Sequence, residues 1–161
     1  MATRRHSLGI PVVAVLAATV AIVAIGWTGP ANSRAAARQA ANKAATVQTK
    51  TLKKLGTILV NSKGKTLYMF VPDNRKKVTC KGTCAAVWPP LKLKTGLKPT
   101  AGGAARKNLL GLDGRVVTYN RWPLYTYIGD SKPGQANGQA KNLNGGLWYV
   151  LSPAGKVIKK H

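Results

Sequence analysis

The chain has 161 residues, of which 26 are basic and three acidic, and its formal net charge is +23. Twenty basic residues and all three acidic ones follow residue 50, so that part alone carries a formal charge of +17. Such a surface attracts polyanions. Because most of the basic residues are lysines and base reading favours bidentate arginine, sequence-specific nucleic-acid binding is not expected.

The N-terminus carries an apolar run of 20 residues, 8–27, directly after a short basic segment. A helix of this length crosses a bilayer, and the run is longer than the apolar part of an ordinary cleavable signal. A small-x-small sequence at 33–35 leaves cleavage open. Residues 1–30 are therefore predicted to be a signal peptide or a membrane anchor. The protein is expected to be exported, either anchored outside the cytoplasmic membrane or secreted.

Residues 31–54 are predicted to be a linker rich in alanine, lysine and arginine. Up to residue 50 this stretch contains no aromatic residue, and Val47 is its one large aliphatic residue. It therefore offers no apolar stripe that a helix could pack against a domain. The folded domain is predicted to begin at residue 55 and to end at residue 161.

The domain is predicted to be all-β, with six to eight short strands and no amphipathic helix. Apolar runs at 56–60 and 66–71 flank a turn at Gly64, which is free to take a positive φ. Further runs lie at 115–119, 124–128, 147–151 and 156–158, separated by turn sequences. We expect a sandwich or a partly closed barrel.

A repeated motif divides this domain into two related hairpin units, at about 56–91 and about 112–159. TLYMFVPDN in the first unit corresponds to PLYTYIGDS in the second, and each unit continues through a polar loop to a tryptophan. The motif residues are Tyr68, Phe70, Asp73 and Trp88, then Tyr125, Tyr127, Asp130 and Trp148.

The motif has a structural and a functional interpretation. Side chains alternate faces along a strand, so the two aromatic residues of each copy share one face and are predicted to pack in the core under the tryptophan. Each aspartate is predicted to accept amide hydrogen bonds from the turn after its strand. The alternative is that Asp73 and Asp130 converge as a carboxylate pair for glycoside hydrolysis or for a hard cation.

Cys80 and Cys84 are predicted to form a local disulfide, as expected for an exported domain. A zinc site would need four ligands, and the histidines of the chain are His6 and His161. Redox cycling stays an alternative, although C-x-x-C is the commoner arrangement.

Catalytic constellations are absent from the sequence of the domain. It contains no glutamate, and His161 is its one histidine. This composition does not favour triads, histidine acid–base catalysis or metal-assisted hydrolysis. No catalytic residue, cofactor or metal site is therefore predicted.

The segments TLYMFVPD, CKGTCAAVWPPL, VTYNRWPLYTYIGDSKPGQANGQ and GGLWYVLSPAGKVI together resemble a bacterial secreted repeat family of unknown function. This family is known for a tyrosine-x4-aspartate motif and for its predicted lipoproteins. The resemblance covers about residues 55–159 and implies export to the cell envelope, with no established activity. No cysteine lies just after the apolar run here, so a lipid-modified N-terminal cysteine is not expected.

These observations predict a non-enzymatic protein of the cell envelope. Its basic surface is expected to contact anionic lipid headgroups or anionic wall polymers, and residues 8–27 hold it at the membrane if the leader is uncleaved. One alternative is a small redox or metal-handling module that uses the cysteines or the two aspartates. A second alternative is a weak enzyme acting on wall glycans.

Overall fold

A computed structural model describes residues 34–36, 46–75 and 77–160. The predicted all-β fold class is confirmed, because strands dominate these ranges and form three antiparallel sheets. Residues 8–27, the predicted apolar helix, lie outside the described residues. Of the helices within the ranges given above, none has the length and apolar character needed to cross a bilayer.

The strands are short, and most follow one another through tight turns. In chain order they are β1 (Val47–Leu52), β2 (Gly56–Asn61), β3 (Tyr68–Phe70), β4 (Leu110–Asp113), β5 (Val116–Tyr119), β6 (Trp122–Pro123), β7 (Asn142–Leu143), β8 (Gly146–Leu151) and β9 (Val157–Ile158). β1 pairs with β2, β5 lies between β4 and β6, and β8 pairs with β3, β7 and β9. A five-residue helix, α1 (Thr83–Val87), and the 3-10 turns Val71–Asp73 and Lys107–Leu109 lie between β3 and β4.

Strand β1 lies within the stretch predicted to be linker, so the predicted boundary at residue 54 is too far along the chain. Every residue of β1 is paired with β2, from Val47 opposite Asn61 to Leu52 opposite Gly56. Val47, the one large aliphatic residue of that stretch, is fully buried. The polar composition of β1 hid it, because an edge strand with one face toward solvent buries few side chains.

Glycine and asparagine form the turns that the sequence placed between strands. Gly64 has a φ of +74° between β2 and β3, as expected for the hairpin turn. Asn120 and Arg121, between β5 and β6, both have positive φ values, which is the backbone conformation of a type I′ hairpin turn.

The two repeats exchange strands. Tyr68 and Tyr125 form a reciprocal backbone pair, in which each N–H donates to the carbonyl of the other tyrosine at 2.8 and 2.9 Å. β3 of the first repeat pairs with β8 of the second, which places Phe70 opposite Trp148. In return, the 124–128 segment of the second repeat pairs with the 87–91 segment of the first. Neither repeat is therefore a closed unit on its own.

The central strands bury side chains on both faces. Tyr68, Phe70 and Trp148 belong to one core cluster, whereas the alternate residues Met69 and Leu151 belong to a second. This two-sided burial explains why the strands appear in the sequence as continuous apolar runs. The first cluster contains the aromatic residues of the repeated motif and positions the candidate site.

Candidate functional site

The first tyrosine of each motif copy is hydrogen-bonded to the aspartate of the other repeat. The Tyr68 hydroxyl donates to Oδ2 of Asp130 at 2.7 Å, and the Tyr125 hydroxyl donates to Oδ2 of Asp73 at 2.6 Å. We call these two tyrosine–aspartate pairs the clasps. All four side chains are buried, with Asp73 at 2% and Asp130 at 1% exposure. A charge-assisted hydrogen bond of this kind is among the stronger side-chain interactions in a protein.

The second oxygen of each carboxylate binds the loop that follows it. Oδ1 of Asp73 accepts from the Thr79 amide at 2.8 Å and from the Thr79 hydroxyl at 2.6 Å. Oδ1 of Asp130 accepts from the Asn137 amide at 2.8 Å. The amide partner lies six residues after Asp73 and seven residues after Asp130. Both positions are beyond the tight turn that the sequence predicted.

Each of these two tyrosine hydroxyls also interacts with a second backbone group of the same loop. The Gly138 N–H donates to the Tyr68 hydroxyl at 3.2 Å, and the backbone of Cys80 interacts with the Tyr125 hydroxyl. Two successive residues of each loop are therefore engaged, the first by the carboxylate and the second by the phenol. This equivalence shows that the two clasps are copies of one arrangement.

Burial governs the ionisation of the clasps. It is the main cause that raises the pKa of Tyr68 and of Tyr125 far above the ordinary value, and the hydrogen bond to an aspartate raises both further. Burial also raises the pKa of the Asp130 carboxyl, which the Tyr68 hydrogen bond counteracts. Each phenol therefore stays a neutral donor at any physiological pH.

Four aromatic rings form a continuous stack between the clasps, and we call it the aromatic stack. Trp88 and Trp148 lie parallel at its centre, with ring centroids 3.9 Å apart. Phe70 stacks on the outer side of Trp148 at 4.1 Å, and Tyr127 stacks on Trp88 at 4.2 Å. Each tryptophan thus stacks on the tryptophan and on a motif aromatic residue of the other repeat. Such pairs contribute about 0.5–1.5 kcal/mol each beyond area burial.

All three carboxylates of the protein bind backbone amides. Besides Asp73 and Asp130, Asp113 at the end of β4 accepts from the Val78 amide at 2.8 Å. The loop after Asp73 is therefore bound at two successive amides by two different carboxylates. Within the described residues no group of three or more histidine, cysteine or acidic residues is placed to hold a metal ion.

Cys80 and Cys84 lie at disulfide distance, with Cα atoms 5.2 Å apart, which fits the predicted bridge. The bridge encloses the start of α1, and Cys80 is buried against the core that contains Tyr125. Because the backbone of Cys80 also interacts with the Tyr125 hydroxyl, the bridge stabilises the loop beside one clasp only.

The sequence identified all eight motif residues but not how they pair across the repeats. Thr79, Asn137 and Gly138 were not predicted. Their position in the repeat could have indicated them, because each lies six to eight residues after the aspartate of its motif copy. The short helix α1 was missed as well, because five residues are too few for a helical period to show.

Comparison with known families identifies the class of protein. The chain matches a family described as a secreted repeat of unknown function, over residues 49–92 and 112–152. The match covers more than half of the chain, and the chain belongs to this family. The two matched segments correspond to the two units that exchange strands. Comparisons with curated proteins and with solved structures found no significant match.

Proposed function

We propose that this protein is a non-enzymatic component of the cell envelope, whose basic surface contacts anionic wall polymers or anionic lipid headgroups. The family description supports export. The observation that carries the rest is the distribution of charge. All three carboxylates bind the protein's own amides, and two of them are buried, while 20 basic residues follow residue 50. The part of the chain after residue 50 therefore carries a large excess of positive charge.

The geometry of the two motif aspartates supports a structural role rather than catalysis. A general acid or nucleophile needs access to a substrate, whereas both carboxylates are buried and hold a phenol and an amide. We therefore propose that Asp73 and Asp130 stabilise the fold, and that residues 8–27 anchor the domain if the leader is retained.

The electrostatic proposal is tested by retention of the full-length protein, reconstituted in neutral phosphatidylcholine nanodiscs, on isolated anionic wall material. We expect retention at about 50 mM salt and release at about 500 mM, because exposed charges are screened over a few ångströms at high ionic strength. Wall material stripped of its anionic polymer is the control. Retention that persists in high salt, or is equal on the stripped material, contradicts the proposal.

The two alternatives are tested on the exported protein. Thiol titration and metal analysis separate a permanently oxidised domain from a redox or metal-handling module. Wall-glycan hydrolysis that is lost in Asp73→Asn or Asp130→Asn, at an unchanged melting temperature, would establish catalysis instead. Our proposal expects the reverse, a lower melting temperature and no hydrolysis to lose.

A further inference from the structure

An open groove of about 520 Å³ lies between the turn that joins β1 to β2 and the loop that follows Asp130. Lys53 and Lys54 line one side, in the turn, and Asn137 and Gln139 line the other, in the loop. Leu52 and Ala136, both packed against the first core cluster, give it an apolar floor. We call it the lysine groove.

The lysine groove is positively charged. Lys53 and Lys54 are exposed, and their ammonium groups have no partner within the part of the chain that the structure describes. Lys50 adds a third cation at the rim, because its Nζ lies 2.7 Å from where a Cβ on Gly134 would stand. Among the described residues no carboxylate lines the groove, and Asp130, the nearest in sequence, points its carboxylate into the core. These lysines are thus free to bind an external anion.

The uncharged polar side chains of the lysine groove already make hydrogen bonds within the protein. The Asn137 side chain donates to the Gly129 carbonyl, and the Asn137 backbone N–H donates to the Asp130 carboxylate. The Gln139 side chain donates to the carbonyls of Ile158 and Lys160 and accepts from the Val150 amide. What remains for a ligand is cationic charge above an apolar floor. This chemistry selects for negative charge and for an aliphatic backbone rather than for a particular hydrogen-bond pattern.

We propose that the lysine groove binds a segment of a phosphodiester polymer with an aliphatic backbone, of the kind found as anionic wall polymer. The inference rests on the proposed function and names its binding site. A flexible chain enters a groove between a turn and a loop, with its phosphates at the lysines and its carbon atoms on the floor. A bilayer surface is flat and does not enter it. The polymer is therefore the occupant that fits both the charge and the shape.

The test is a titration of the full-length protein, in phosphatidylcholine nanodiscs, with a synthetic poly(glycerol phosphate) oligomer. The groove variant Lys53→Gln/Lys54→Gln is compared with Lys92→Gln/Lys94→Gln, which removes the same charge at two exposed lysines outside the groove. Lys53→Arg/Lys54→Arg retains the charge. Monomeric dihexanoyl phosphatidylglycerol serves as the lipid headgroup probe.

We expect the groove variant to weaken oligomer binding about thirtyfold at low salt, since it removes two lysines and each contributes about 1 kcal/mol near an anionic surface. The control pair should weaken it less than about threefold, by loss of long-range attraction alone. The arginine variant should bind within about twofold of the unchanged protein.

Three results overturn the inference in distinguishable ways. Equal losses for the two glutamine variants mean that the surface binds the polymer without a specific site, so the groove fails while the proposed function stands. Loss of headgroup binding alone in the groove variant identifies lipid as the occupant. If the unchanged protein binds neither the oligomer nor the headgroup at low salt, the groove proposal and the proposed function both fail.

Discussion

The two loops that follow the motif aspartates hold equivalent clasps by different means. The first, residues 74–87, contains the Cys80–Cys84 bridge and the helix α1. The second, residues 131–145, has no cysteine, and Lys65 of the first repeat instead donates to the carbonyls of Asp130 and Ser131. Gly138 also lies so close to Trp88 and Tyr68 that a Cβ would stand 2.7–2.9 Å from their rings.

This comparison distinguishes the interactions that both repeats share from those that stabilise only one of the two loops. The features common to both repeats are those at the interface between them, namely the clasps and the aromatic stack. The bridge of the first loop and the close packing of the second are specific to one repeat. Variants of the shared features should therefore unfold the whole domain, whereas variants of the local ones should loosen one loop.

The largest effect is expected from Trp88→Ala and Trp148→Ala. Each removes a fully buried central ring of the aromatic stack, and we expect each to lower the free energy of unfolding by about 3–5 kcal/mol. Chemical denaturation followed by far-ultraviolet circular dichroism measures this. The two losses should agree within about 1 kcal/mol, since the tryptophans have equivalent neighbours. A loss in only one of the two variants contradicts the equivalence of the repeats.

The clasps are tested by double-mutant cycles that combine tyrosine-to-phenylalanine and aspartate-to-asparagine changes. Each single change should cost about 1.5–3 kcal/mol, as for a hydrogen bond to a charged group. Tyr68→Phe with Asp130→Asn should show a coupling energy above about 1 kcal/mol. Tyr68→Phe with Asp73→Asn, two residues of the same repeat, should be additive within about 0.5 kcal/mol. Coupling within a repeat rather than between repeats refutes the strand exchange.

Removal of the bridge by Cys80→Ser/Cys84→Ser should cost about 2 kcal/mol, because the enclosed loop is short. Native-state hydrogen exchange should then become faster at the amide of Thr79 and at that of residue 80. At the amides of Asn137 and Gly138 the exchange rate should rise only as much as the global loss of stability requires. Faster exchange in both loops beyond the global change would show that the bridge stabilises both clasps.

The smallest effect is the alkaline pH dependence. Tyr68 and Tyr125 have raised pKa values in the folded protein, so their contribution is complete below the unfolded pKa of about 10 and is lost as pH rises above it. At pH 10.5 the ionisation of each of these tyrosines in the unfolded state should lower the free energy of unfolding by roughly 0.8 kcal/mol. Tyr68→Phe and Tyr125→Phe should each remove an equal share of this dependence, measured with tyrosinate absorbance at 295 nm. An unchanged dependence in either variant would show that its phenol ionises in the folded state.

The sequence predicted much of the fold, because most of its signals were local. Val60, Leu67 and Val150 lie in apolar runs that identified their strands, and Gly64 identified a turn. β1 was missed because its side chains are mostly polar and only its pairing with β2 makes it a strand. The 124–128 segment was expected to be a regular strand, but it forms isolated bridges to both Tyr68 and Pro90 and lies between two partners.

The charge, the repeated motif and the all-β character can be read from the amino-acid sequence alone, because composition and short apolar runs between turn residues need no knowledge of distant contacts. Which aspartate each clasp tyrosine binds depends on long-range contacts that exist only in the folded protein. Tyr68 is five residues from Asp73 and 62 from Asp130, yet it binds the distant one. The reason is that the strand places its phenol on the face that packs against the other repeat, and long-range strand pairing brings the loop of that repeat to it.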